Sequence, residues 1–109
     1  MHRDEIPPGT LYMLILRTLA RGGEMHGYQI ASSIQRISDD VLQVEEGSLY
    51  PALQRMLVKG WVTAEWGATP ENRRARYYRL TGAGRKQLES EVSQFERVMH
   101  AIRRVIQTA

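Results

Sequence analysis

The segment EEGSLYPALQRMLVKGW, residues 45–61, decides the fold. Leu49, Leu53, Met56 and Leu57 fall at i, i+4, i+7 and i+8, one face of an α-helix. Pro51 stands inside that pattern, and a proline in a helix interior removes a hydrogen bond and crowds the preceding turn. The two observations agree if the helix starts near Ser48. Ser48 is then the N-cap and Pro51 lies in the first turn, where backbone N–H groups have no intrahelical partner. The leading surface carries Ser48, Tyr50, Pro51, Gln54 and Arg55, with Lys59 a turn further on. These include donors suited to phosphate oxygens and base edges. In a helix-turn-helix, the N-terminal part of the second motif helix enters the major groove. A solvated helix face with an ordinary capping serine has the same spacing, so both readings stay open on spacing alone. Glu45 and Glu46 suit the dipole of a helix start but would repel phosphates.

Upstream, Thr10 can cap a helix to about Ala20 that carries Leu11, Leu14, Ile15, Leu16 and Leu19. The glycines of RGGE (21–24) end it. HGYQIASSIQRIS (26–38) predicts a second helix, and residues 39–47 a connector that is briefly extended at 41–44. Residues 1–9, polar with Pro and Gly, read as a loose arm. Downstream, WVTAEW (61–66) and RYYRL (76–80) have alternating, β-branched and aromatic character. The turn-rich GATPENRRA between them makes the pair a hairpin with a nine-residue tip. Three helices, a hairpin and a last helix follow the winged helix-turn-helix order. The fold class expected is therefore mainly α with a small β-hairpin (α+β), with residues 1–81 as the winged domain and 82–109 as a dimerisation helix.

Charge placement points the same way. From Asn72 to Leu88 there are six basic residues, Arg73, Arg74, Arg76, Arg79, Arg85 and Lys86, and no acid until Glu89. Arg73, Arg74 and Arg76 on a hairpin tip can follow phosphates or enter a minor groove. A solvated charge run is the alternative, although such a run normally mixes in acids. Tyr77 and Tyr78 are expected to pack on the core, Trp61 or Trp66, with one reaching a phosphate as the alternative.

Thr81 can cap a last helix of roughly 28 residues, about 42 Å long. Along it Leu88, Val92, Phe95, Met99, Ile102 and Ile106 are spaced 4, 3, 4, 3, 4, the a/d pattern of a coiled-coil seam. That length exceeds what a winged domain can cover, so the seam is expected to meet a second copy with help from the first helix. A homodimer presents two reading heads, and hence reads a pseudo-palindromic site.

Composition sets outer bounds. A chain of 109 residues makes one domain or one domain with an appendage, and 42% hydrophobic content supports a small core. No apolar run reaches membrane-spanning length, and MHRDEIPPG lacks the charged-then-apolar pattern of a signal peptide. There is no cysteine, which excludes disulfides and thiolate metal sites; the default location is the cytoplasm. The net charge of +3 does not by itself identify a nucleic-acid binder. His2, His26 and His100 share no metal-ligand spacing, and no GxSxG, P-loop or HExxH occurs. His26, before Gly27 at a helix start, reads as a structural or capping residue. No enzyme, cofactor or metal is expected.

These residues resemble the PadR-type transcriptional regulators. The resemblance is carried by GTLYMLILRTLARG (9–22), HGYQI (26–30), GSLYPALQRM (47–56), KGWVTAEW (59–66) and RRARYYRLTGAGRKQL (73–88). The combination of HGY, LYPAL and YYRLT at this spacing is specific, whereas LYP alone is not. The single C-terminal helix is similar to that of the smaller subfamily. The resemblance implies a dimeric winged helix-turn-helix repressor of bacterial genes that binds double-stranded DNA. It places Ser48, Tyr50, Pro51, Gln54 and Arg55 at the groove, with Tyr50 on a phosphate and Tyr28 against the backbone. It gives Arg73, Arg74 and Arg76 to the wing contacts. The dimer is implied to form from the first helix, at Leu11, and the last, at Leu88, Val92, Phe95, Met99, Ile102 and Ile106. Some members bind phenolic or planar hydrophobic compounds near the dimer interface, so a small hydrophobic or aromatic effector is implied. This seam lacks an obvious aromatic clamp. A winged-helix module that binds protein and not DNA is the competing reading; its weakness is an acid-free wing with no purpose.

Overall fold

The computed structural model describes Asp4–Glu5 and residues 9–108. In chain order these form β1 (Asp4–Glu5), α1 (Leu11–Gly22), β2 (Met25–His26), α2 (Gly27–Ile37), β3 (Leu42–Gln43), α3 (Glu46–Val58), β4 (Val62–Ala68), β5 (Arg74–Leu80) and α4 (Gly82–Gln107). The fold is the expected α+β winged helix. Its antiparallel sheet has the order β2-β5-β4. The core gathers Ile15, Leu16 and Leu19 from α1, Ile30 and Ile34 from α2, and Leu49, Ala52, Leu53 and Met56 from α3. Val62, Tyr78 and Leu88 close it.

Local chemistry sets the boundaries. α1 ends at Gly23, whose φ of 78° is open to glycine at no steric cost. Thr10 occupies the N-cap position of α1, but its side chain does not cap the helix. α2 starts with a reciprocal cap: the Gln29 backbone N–H donates to His26 Nδ1 (3.3 Å), and the His26 N–H donates to Gln29 Oε1 (3.0 Å). The arm expected over residues 1–9 contains ordered backbone, because Asp4 and Glu5 pair in parallel with Leu42 and Gln43. The rest of that arm, His2 included, lies outside the described residues apart from Gly9.

α3 starts earlier than Pro51 suggests. Glu45 is the N-cap, in extended conformation, and its carbonyl accepts from the N–H groups of Ser48 (3.0 Å) and Leu49 (2.9 Å). Ser48 is therefore not the cap; it sits within the first turn. Pro51 falls in the second turn, where its missing N–H removes the bond to the Gly47 carbonyl. Gly47 is exposed, so solvent can serve that carbonyl. Glu46 in the first turn complements the helix dipole, which gives the two glutamates a local role. Pro51→Ala restores the missing donor. It is expected to stabilise the protein by about 1–2 kcal/mol, less than the full proline cost because the carbonyl is solvated. A urea midpoint that did not rise would show that the second turn accepts proline without penalty.

α4 begins inside the domain and leaves it. Thr81 Oγ1 accepts from the Gly84 N–H (3.0 Å) and donates to the Gly60 carbonyl (2.7 Å), while the Thr81 N–H donates to the Trp61 carbonyl (3.0 Å). The cap expected at Thr81 is thus also a tie to the start of β4. α4 packs against α1, with Leu88 in the core and Val92 against it. Beyond that, Phe95, Val98, Ile102, Val105 and Ile106 are exposed, Ile106 to 74%. The helix of 26 residues runs about 39 Å. Of the expected seam, Leu88, only 8% exposed, belongs to its own chain's core, where no partner could cover it. Leu11 and Met99 are half-buried.

Candidate nucleic-acid interface

The buried side of α3 is Leu49, Ala52, Leu53 and Met56. At 100° per residue the opposite side is Gly47, Pro51, Gln54 and Val58, and all four are exposed. Tyr50 lies on one flank, and Ser48 and Arg55 on the other. The flanks have different neighbours. A Cβ built on Gly27 would lie 2.7 Å from Tyr50 Cε1, so the Tyr50 ring covers the start of α2. Tyr28, the next residue, is exposed. Burial pushes the Tyr78 hydroxyl above the ordinary tyrosine range; Arg76 pulls it down by less, and Tyr50 adds to the rise. Tyr78 lies in the core, paired across the sheet with Met25 and Ala64.

Arg55 is held on the far flank. Its Nε donates to the Tyr12 hydroxyl, and its guanidinium carbon lies 5.6 Å from the centre of the Tyr12 ring. Tyr12 meets Trp61 edge to face at 5.5 Å, and Lys59 Nζ lies 5.3 Å from the Trp61 ring centre. Sequence spacing places Arg55 beside Gln54 on one leading surface. The structure separates them by about a quarter of a helical turn and ties Arg55 to α1.

The wing is longer in strand and shorter in loop than its composition suggests. β4 and β5 pair from Val62 with Leu80 to Ala68 with Arg74, which leaves residues 69–73 as the tip. The tip is closed by Thr69 N–H to the Arg73 carbonyl (2.8 Å) and Asn72 N–H to the Thr69 carbonyl (2.8 Å). Asn72 takes the left-handed conformation the turn needs (φ 62°). Arg74 and Arg76 thus stand on a strand, and only Arg73 belongs to the tip. They alternate onto the same sheet face as Trp66. The guanidinium carbon of Arg74 is 4.3 Å from the Trp66 ring centre and that of Arg76 is 5.9 Å away. Trp66 is 60% exposed and serves as a platform that presents both cations. Spacing did not single it out for this role; the signal available was an aromatic residue one hairpin partner away from two arginines.

The opposite sheet face is different. Arg79 pairs with Glu24 (3.2 Å), so the stretch that is acid-free in sequence is partly neutralised in space. Tyr77 donates to the Ala68 carbonyl (3.0 Å), and its ring meets His26 at 5.3 Å. It packs on neither tryptophan ring, contrary to one of the expected packings. Among the described residues, no group of three His, Asp or Glu could hold a metal ion, and no helix is long and apolar enough to cross a membrane. What the arrangement offers is a cationic and aromatic strip. Its parts are Tyr28 with Tyr50 over the start of α2, the exposed side of α3, and Arg74 and Arg76 over Trp66 on the wing.

Comparison with known proteins places this geometry. The family described as "Transcriptional regulator PadR-like family" matches residues 15–90. A transcriptional regulator from Clostridium thermocellum superposes with a TM-score of 0.83 at 26% identity, covering 91% of this chain and 95% of that one. A PadR family transcriptional regulator from Eggerthella lenta gives 0.77 at 27% identity, covering 93% and 85%. Bacillus subtilis PadR, solved in complex with operator DNA, gives 0.67 at 26% identity, covering 79% of this chain and 48% of that one.

Proposed function

Since the chain belongs to the PadR-like family of transcriptional regulators, we propose that it represses transcription by binding operator DNA as a homodimer in the cytoplasm. It is a regulator and not an enzyme. What supports the DNA reading is a pair of exposed surfaces on elements that touch: the outer side of α3, with Pro51 and Gln54, and the Arg74–Trp66–Arg76 cluster of the wing, whose strand β4 packs on α3. Gln54, Ser48, Pro51 and Tyr50 would enter the major groove, with Tyr28 and Tyr50 on flanking phosphates. Arg73, Arg74 and Arg76 would run along the backbone of the adjoining groove. Arg55, tethered through Nε, would keep its two terminal nitrogens for a phosphate. The apolar side of α4 past Val92, with Leu11 of α1, would form the dimer and set two such heads on a pseudo-palindromic promoter element. A small hydrophobic ligand would release the DNA.

The experiment is a titration of labelled promoter duplex with the wild type and with Arg73→Ala/Arg74→Ala. The double variant removes two arginines from each protomer and so four from the bound dimer; it is expected to lose about a hundredfold or more in affinity and to flatten the slope of log affinity against log salt by about four. An unchanged affinity and slope would remove the wing from the interface.

A further inference from the structure

On the side of α1 opposite Tyr12 lies a cavity of about 270 Å³, formed between α1, α2 and β3. Its apolar wall is Leu14 of α1, Met25 of β2, Ile34 and Ile37 of α2, and Leu42 of β3. The wall has no aromatic ring, so a flat molecule has nothing to stack on, whereas an aliphatic chain matches it. Arg17 and Arg21, one turn apart on α1, and Arg36 in the last turn of α2 line the cavity as exposed residues. Among the described residues, no Asp or Glu lines it. Ser33 is more than nine-tenths buried there.

We propose that this cavity binds a medium-chain aliphatic carboxylate, with its chain against Leu14, Ile34 and Leu42 and its anionic head among Arg17, Arg21 and Arg36. Three cations around an aliphatic wall complement such an amphiphile on both counts. Ser33 supplies a hydroxyl inside a chamber that is otherwise apolar apart from the Thr18 and Ser38 hydroxyls. Thr18 already donates to the Leu14 carbonyl (2.7 Å) and Ser38 to the Gln35 carbonyl (3.1 Å). The site gives the effector of the proposed function a seat between the helix assigned to the dimer and the first helix of the helix-turn-helix. It rests on that reading only for its effect on DNA, because the binding itself is measured without DNA.

The test is calorimetric titration of the full chain with decanoate, decanol and decyltrimethylammonium. Decanoate is expected to bind saturably at one per chain, decanol about tenfold more weakly, and the cationic amphiphile not at all. Arg17→Ala/Arg21→Ala should bring decanoate down to the decanol level and leave decanol unchanged. Ile37→Trp, at a half-exposed position on the rim, should block both while far-UV circular dichroism stays unchanged. Equal binding of decanoate and decanol, or decanoate binding that survives Ile37→Trp, would overturn the site. So would a cavity that takes up decanoate only after the dimer is broken by Ile102→Glu, since the groove would then be the seat of a second copy. If decanoate binds as expected and promoter affinity does not change, the site stands and the effector reading fails.

Discussion

Gly84→Ala is expected to destabilise the protein by about 3 kcal/mol, the upper end of an overpacking cost. A Cβ on Gly84 would lie 2.1 Å from the Trp61 carbonyl oxygen and 2.7 Å from Leu80 Cδ1. The oxygen is backbone and already accepts the Thr81 N–H at 3.0 Å, so it cannot swing away as a flexible side chain would. Relief requires α4 to lift from β4, which weakens the Thr81 cap and the burial of Leu88 together. The melting temperature should fall by about 10 °C or more for a chain of this size. Gly82→Ala is the control: it lies in the same helical turn with nothing within 4 Å of its added Cβ, and it should melt at or slightly above the wild-type temperature because alanine favours the helix. If the two variants melted within a degree or two of each other, the close approach of α4 to the start of β4 would not be a constraint.

The second large effect concerns assembly. Phe95→Glu/Ile102→Glu puts two carboxylates on the side of α4 that its own chain leaves exposed. Neither residue belongs to the core, so the secondary structure should survive. Light scattering at micromolar concentration should show a mass near 12.5 kDa in place of twice that value. Promoter affinity should fall by about a hundredfold or more, because each winged domain then binds one half-site without the gain of being linked to a second. Leu88→Glu is a useful contrast. Leu88 is buried in its own chain, so that change should unfold the domain and not merely separate copies. A double variant that kept the mass of two chains would place the dimer contact elsewhere.

The sequence made the order of the large elements legible because each carries a long apolar period. α1, α2, α4 and the hairpin lie within a few residues of where periodicity puts them. Where the reading slipped, a local rule met a competing one. Pro51 argued for a start near Ser48, since first-turn prolines are free of cost. Glu45 and Glu46 could extend the helix by one more turn because the orphaned Gly47 carbonyl faces solvent. β1 and β2 have two residues each, too short for alternation to register, and are held by pairing across the fold; β3, Leu42–Gln43, falls inside the brief extension expected at 41–44. The seam pattern on α4 runs without a break from Leu88 to Ile106, and no spacing rule tells which residues the chain's own core absorbs.

The candidate interface was legible by residue type and less so by direction. Arg73, Arg74 and Arg76 were visible as an acid-free cluster. The Trp66 platform beneath two of them depends on the β4–β5 register, and the neutralisation of Arg79 depends on Glu24, which is 55 residues away in sequence. Arg55 adjoins Gln54 in sequence, but the 100° step of the helix turns it towards Tyr12, where a hydroxyl and an aromatic face hold it.

The central claim is that α3 and the wing together form a phosphate-contacting, groove-reading surface presented twice by a dimer. It is tested most directly by selecting duplexes from random DNA with the purified wild-type protein and measuring affinity for the selected site as salt is raised. The account predicts a two-fold symmetric consensus and an affinity that falls steeply and linearly on logarithmic axes. Selection that yields no consensus, together with binding indifferent to salt, would contradict it.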